Sequence, residues 1–176
     1  MIERTAQLAR LIRDVPDFPK PGIVFKDITP LLADPPGFTT VLDLLAEHFA
    51  GRGVEAIVGI ESRGFIFGAA LAARTLASFV PVRKPGKLPA ATDRVTYALE
   101  YGEDALEMHK QSIRPGANVL IVDDVIATGG TAAAAIELVR GQQGRVIGAA
   151  FVIELEFLKG RSRIPEDTDV FSILKY

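Results

Sequence analysis

The residues of this chain best suited to chemistry lie between Asn118 and Ala132, in NVLIVDDVIATGGTA. An apolar run, Val119 to Val122, ends in two adjacent acids, Asp123 and Asp124. A short loop leads to Thr128-Gly129-Gly130-Thr131, and an alanine-rich helix begins there. Paired glycines let the main chain approach a ligand without Cβ clashes, and the free N–H groups at the start of the next helix favour a phosphate. The threonine hydroxyls add donors. Carboxylates would repel that phosphate but accept well from sugar hydroxyls, so the series suits a ribose 5-phosphate. Taken alone, TGGT reads equally as a tight turn with solvated acids before it; the ordered series of strand, acids, glycines and helix favours the ligand.

A second anion-holding candidate is Glu61-Ser62-Arg63-Gly64, placed where a strand hands over to a helix. Its N–H groups and the Arg63 guanidinium suit a more highly charged anion, while the plainer reading makes Ser62 a helix cap and Arg63 a solvated side chain. Arg83, Lys84 and Lys87 cluster after the next strand, either as further anion contacts or as a solvated charge run.

The elements that must position these residues follow from the hydrophobic rhythm. Residues 2–14 carry a helical apolar stripe, and PDFPKPG, residues 16–22, stops it before the short extended piece IVFKD. DPPG, Asp34 to Gly37, reads as another break, with a second helix from Phe38 to Phe49. From residue 55 short apolar runs alternate with helical stretches: EAIVGI, FVPV, NVLIV, VIGAAFVIEL and DVFSIL are the strands. Runs without polar alternation are buried on both faces, which predicts an α/β fold with a central, mainly parallel sheet flanked by helices, its ligands beyond the carboxyl ends of the strands. DRVTYALEY, between Lys84 and Lys110, alternates weakly and predicts an exposed hairpin able to act as a lid.

At this point the chain resembles the type I phosphoribosyltransferase family, whose ribose-phosphate signature is similar to VLIVDDVIATGGT. FPKPGIVFKDITPLL, GIESRGFIFG, VRKPGKLP, LEYGEDALEMHK and VIELEFLKGR look like the adenine-specific branch of it. The resemblance implies one phosphoribosyltransferase domain over residues 1–176, with a hood at about 1–34 and a lid at about 85–110. It implies that adenine and phosphoribosyl pyrophosphate give AMP and pyrophosphate. Asp123 and Asp124 would hold the ribose hydroxyls, and Ala127, Thr128, Gly129, Gly130 and Thr131 the 5-phosphate. Ser62, Arg63, Arg83, Lys84, Lys87, Tyr101 and His109 would face the pyrophosphate, although a lone histidine is as readily structural. A basic residue similar in position to Arg83 reaches the neighbouring subunit, which implies a homodimer. Val24, Phe25 and Lys26 of the hood would meet adenine. Lys26 stands where the family often has arginine, and a lysine lacks the planar group for stacking. Glu100 is the candidate acid/base and Arg63 the group assisting pyrophosphate departure. Mg2+ would arrive on the substrate, with no metal site made by the protein alone. A transferase for another purine, or a regulator that only senses the sugar diphosphate, are the alternatives.

Composition narrows the field further. In 176 residues, 20 Lys plus Arg against 22 Asp plus Glu give a net charge of −2, with no global positive field for nucleic acid. The absence of Cys excludes disulfides and thiolate chemistry and suits a cytoplasmic location, and two histidines leave little for a metal cage. No apolar run is long enough to span a membrane, and the charged N-terminus does not read as a secretory signal. Gly51, Gly53 and Ala56 loosely fit a dinucleotide fingerprint but precede their strand, and no GxxxxGK[ST] is present, so neither cofactor loop is expected.

Overall fold

The apolar runs pair side by side. In the computed structural model, which describes residues 2–98 and 102–176, five strands form one sheet: β3 (Ala56–Ile60), β4 (Ser78–Val82), β7 (Asn118–Ile126), β8 (Arg145–Glu154) and β9 (Val170–Lys175). Their order is β4-β3-β7-β8-β9 and all four pairings are parallel. Successive side chains of a strand face opposite sides, so the sheet separates two cores. Val58, Ile60, Val119 and Ile121 pack with α5 (Gly130–Gly141), and Ile57, Leu120 and Val122 pack with α3 (Pro35–His48) and α4 (Gly64–Thr75).

This connectivity creates the site. The chain leaves β3 through α4 towards one edge and leaves β7 through α5 towards the other. Their carboxyl ends therefore part company at adjacent strands, the switch point where open α/β sheets hold ligands.

Four expectations are corrected. The first helix is shorter than residues 2–14: α1 is Ile2–Ala9, and β1 (Arg13–Pro16) folds back antiparallel on β2 (Val24–Asp27). The proline-rich turn permits that return, and Arg13 Nε clamps Asp27 Oδ2 at 3.0 Å. DPPG begins a helix where a break was expected: Asp34 caps α3 by accepting from the Gly37 N–H at 2.7 Å, and the prolines occupy a first turn whose N–H groups have no partner anyway. β7 continues through both acids to Ile126, pairing Asp123 with Phe151 and Val125 with Ile153. The hairpin of β5 (Thr92–Ala98) and β6 (Glu103–His109) forms as expected, but one face of it is core. Leu106 and Met108 are buried in the α5 cluster, because alternate residues of β6 face the same side and these two are apolar.

Candidate active site

A cleft of about 310 Å3 opens at the switch point, between the loop after β3 and the loop joining β7 to α5. Gly129 sits at the mouth of α5 with φ +81° and caps the helix without any side-chain bond, leaving the first N–H groups of α5 open. A Cβ on Gly129 would lie 2.1 Å from the Gly160 carbonyl oxygen, and one on Gly160 would lie 2.3 Å from the Ala127 oxygen. Only glycines allow these two main chains to touch, and the contact fixes the loop from behind. Ala127, Thr128, Gly129 and Thr131 line the cleft. Gly130 turns the place of its absent side chain towards Tyr97 and Arg163 instead.

Both acids line the same cleft. The Asp124 N–H donates to Asp123 Oδ1 at 2.9 Å, and Arg63 Nε lies 3.0 Å from Asp124 Oδ2. Burial, and after it the charge of Asp124, push the Asp123 carboxyl well above the ordinary carboxylate range. Burial raises Asp124 as well, with Arg63 opposing it. The pair is thus underneutralised: one guanidinium faces two enclosed carboxyls. Hydroxyl donors or a cation entering the cleft would relieve it.

Arg63 opens α4 and joins three parts of the site, since its guanidinium also lies 5.2 Å from the Phe25 ring of the hood. Ser62 and Lys84 line the cleft as well. Arg83 and Lys87 do not; both turn to the buried carboxylate of Glu61. Arg83 Nε approaches Glu61 at 3.2 Å, Lys87 Nζ pairs with it, and the Lys84 N–H donates to it at 3.0 Å. Burial pushes the Glu61 carboxyl up, but these donors outweigh it and hold it below its usual value. Lys84 Nζ pairs with Asp104. Burial disfavours the charge on both, yet their bond leaves the lysine raised and the acid lowered. The cations in this region are therefore matched with internal carboxylates.

The structure does not bring His109 to the cleft. It pairs with Thr92 at the base of the hairpin, its carbonyl accepts from Gln142 beyond the far end of α5, and its Nε2 is buried without a partner among the described residues. The antiparallel run of β6 carries it to the end of α5 away from the Gly129 loop. In the hood, Val24 is exposed and Phe25 packs edge to face on Phe18 at 5.2 Å. Lys26 is committed elsewhere, donating to Asp14 Oδ1 at 2.7 Å and lying 3.9 Å over the Tyr176 ring. Glu100 and Tyr101 lie outside the described residues. Sequence reasoning gave no role to Glu61, Tyr97 or Asp104. The carboxylate of Glu61 stood in a quoted block, but its three donors come from a different strand's loop, and Tyr97 and Asp104 meet Lys84 only through the hairpin.

Comparison with known proteins agrees with this geometry. The family described as Phosphoribosyl transferase domain matches residues 28–176. Adenine phosphoribosyltransferase of Sorangium cellulosum is 68% identical over 169 residues, 94% of this chain and 84% of that protein. The crystal structure of adenine phosphoribosyltransferase from Rhodothermus marinus superimposes with a TM-score of 0.96 at 51% identity, covering 100% of both chains. The Saccharomyces cerevisiae enzyme, complexed with an imino-altritol bisphosphate and adenine, gives 0.92 at 44% identity over 98% of this chain and 99% of that one. A parallel sheet with an acid pair and a glycine-rich loop at its switch point thus defines the class, and the chain belongs to the phosphoribosyltransferase family. Within it, the chain falls among the adenine phosphoribosyltransferases.

Proposed function

We propose that this cleft joins adenine to phosphoribosyl pyrophosphate, giving AMP and pyrophosphate. A purine nitrogen bonds to C1 of the ribose while the bond from C1 to the pyrophosphate oxygen breaks, its electron pair leaving with the pyrophosphate. The observation that carries the reading is the facing of two sites across 310 Å3: an open helix N-terminus behind an acid pair, and the Ser62-Arg63 loop.

The 5-phosphate sits on the N–H groups and hydroxyls of 127–131, and Asp123 and Asp124 accept from the ribose hydroxyls. This anchors the sugar while positive charge grows on its ring, which the enclosed carboxylates stabilise. Arg63, already at the cleft, shifts from Asp124 towards the pyrophosphate, with Lys84, Arg83, Lys87 and Tyr101 as further contacts. Pairing with internal carboxylates keeps these cations from facing one another unpaired before the substrate anion arrives. Glu100 takes the purine proton. Val24 and Phe25 offer adenine an apolar wall, and main-chain groups near Lys26 select its amino edge. Hypoxanthine and guanine place an oxygen where adenine has that donor, so a facing carbonyl rejects them. Lys26, held by Asp14 and Tyr176, serves through its backbone.

Mg2+ borne by the pyrophosphate fits this donor set, since two enclosed carboxyls with raised pKa values favour a neighbouring cation. Among the described residues no cluster of three or more His, Cys, Asp or Glu is placed to hold a metal ion. When bound, the ion spreads the charge of the departing group. A homodimer in the cytoplasm completes the reading. Exposed Ile66 and Leu76, on and beside α4, offer apolar surface for the dimer, and no helix among the described residues is long and apolar enough to cross a membrane.

Incubating the purified chain with labelled adenine, phosphoribosyl pyrophosphate and Mg2+ should yield AMP, with unlabelled hypoxanthine and guanine failing to compete. Product from another purine at equal or greater rate would overturn the base assignment, and no product from any purine would overturn the reaction. Glu100→Gln should lower kcat with little change in KM.

A further inference from the structure

Tyr97 does not line the cleft, yet two residues that do line it meet at its phenol oxygen. Lys84 Nζ, Thr131 Oγ1 and Asp104 Oδ2 each lie 3.2 Å from that oxygen. The ring is fixed against the phosphate helix, for a Cβ on Gly130 would lie 3.2 Å from Tyr97 Cδ2. A phenol has one proton to give and room to accept from two donors, so these three contacts saturate it. Here Thr131 donates to Tyr97 and Tyr97 donates to Asp104. The single hydroxyl proton of Thr131 is thereby turned away from the N-terminus of α5. Asp104 meanwhile keeps a full counter-charge in Lys84, so it depends little on the phenol.

We propose that a 5-phosphate on α5 reverses this chain: Lys84 donates to Tyr97, Tyr97 to Thr131, and Thr131 to the phosphate. Lys84 thereby acts on the 5-phosphate through two hydroxyls, in addition to any contact with the pyrophosphate. Both hydroxyl protons turn about their C–O bonds and no heavy atom moves. The reversed chain begins at a cation and ends at a dianion, so each bond polarises the next, whereas the resting chain ends on a carboxylate that is already paired. Tyr97 is a positioning residue in this scheme, since it touches no substrate. The inference rests on the assignment of 127–131 as the 5-phosphate site.

Calorimetric titration of ribose 5-phosphate into the full chain tests it, using Tyr97→Phe, Lys84→Met and the double variant. Tyr97→Phe should weaken binding about fivefold to tenfold, the usual effect of losing one hydrogen bond. Lys84→Met should weaken binding by a similar factor in the parent but by less than twofold in Tyr97→Phe, because the chain is already cut. The same cycle with Thr131→Val in place of Tyr97→Phe covers the case in which the phenylalanine variant does not fold; Thr131→Ser should restore the Lys84 effect. Unchanged binding by Tyr97→Phe, or an equal Lys84→Met penalty in both backgrounds, overturns the relay and leaves the 5-phosphate site standing. Failure of the parent chain to bind ribose 5-phosphate at all overturns that site and the relay with it.

Discussion

Replacing Gly129 by alanine tests whether the close approach of the loop 127–131 to Gly160 positions the site. Two costs can be worked from the structure. The φ of +81° lies in the left-handed region, which charges an alanine about 1–2 kcal/mol. The new Cβ would also stand 2.1 Å from the Gly160 oxygen, against the 3.4 Å at which ordinary contact begins, so the loop must shift by about 1 Å or more. For a domain of this size the first cost lowers Tm by about 2–8 °C. A displacement near 1 Å at a substrate-positioning loop lowers kcat/KM about 100-fold. Gly116→Ala separates the two: its φ is +78° but nothing lies within 4 Å of the added Cβ, so it should lose stability alone. Gly160→Ala makes the complementary test, meeting the Ala127 oxygen at 2.3 Å without a positive φ. Thermal melts and steady-state kinetics on the three variants decide the matter. If Gly129→Ala melts like Gly116→Ala and keeps kcat/KM within a few-fold, the contact with Gly160 does not position the loop 127–131.

The acid pair predicts a pH effect of definite sign. Because the Asp123 carboxyl is raised in the folded state, the fold binds more protons than the unfolded chain between the ordinary carboxylate pKa and the raised value. Stability therefore falls as pH rises through that window, and the penalty is complete above it. Asp123→Asn should remove it, melting higher than the parent at pH 7–8, with the gap closing below about pH 4, while ribose binding is lost; a gap that widens towards acid contradicts the sign. Arg63→Met should lower kcat/KM by about 100-fold or more, the scale of removing one preorganised charge from a reacting centre. It should also lower Tm, since Asp124 keeps its burial and loses its 3.0 Å partner. Arg161→Ala strips the buried Glu154 carboxylate of bonds at 2.6 and 2.7 Å and should cost about 1–3 kcal/mol in urea unfolding, with KM unchanged.

The sheet was legible in the sequence because its signal is local: runs such as AIVGI and VIGAAFVIE have no polar face and can only lie inside a sheet covered on both sides. The cleft lining between β7 and α5 was legible for the same reason, since glycines, threonines and acids lie within fifteen consecutive residues. Local signals also misled. The stripe over 2–14 ignored that Arg13 has a partner fourteen residues on, and DPPG looked like a break although proline suits the first turn of a helix. What only the tertiary structure decided is which charges meet. Glu61 collects donors from the loop after β4, Lys84 finds Asp104 and Tyr97 on the hairpin, and His109 is carried to the far end of α5. Residue type and short spacing specify a hydrogen-bonding capacity, but a charge twenty or more residues away becomes a partner only when strand order and crossovers bring it within about 3 Å. The chain's own composition thus fixed the chemistry on offer, and folding fixed which of it faces the cleft.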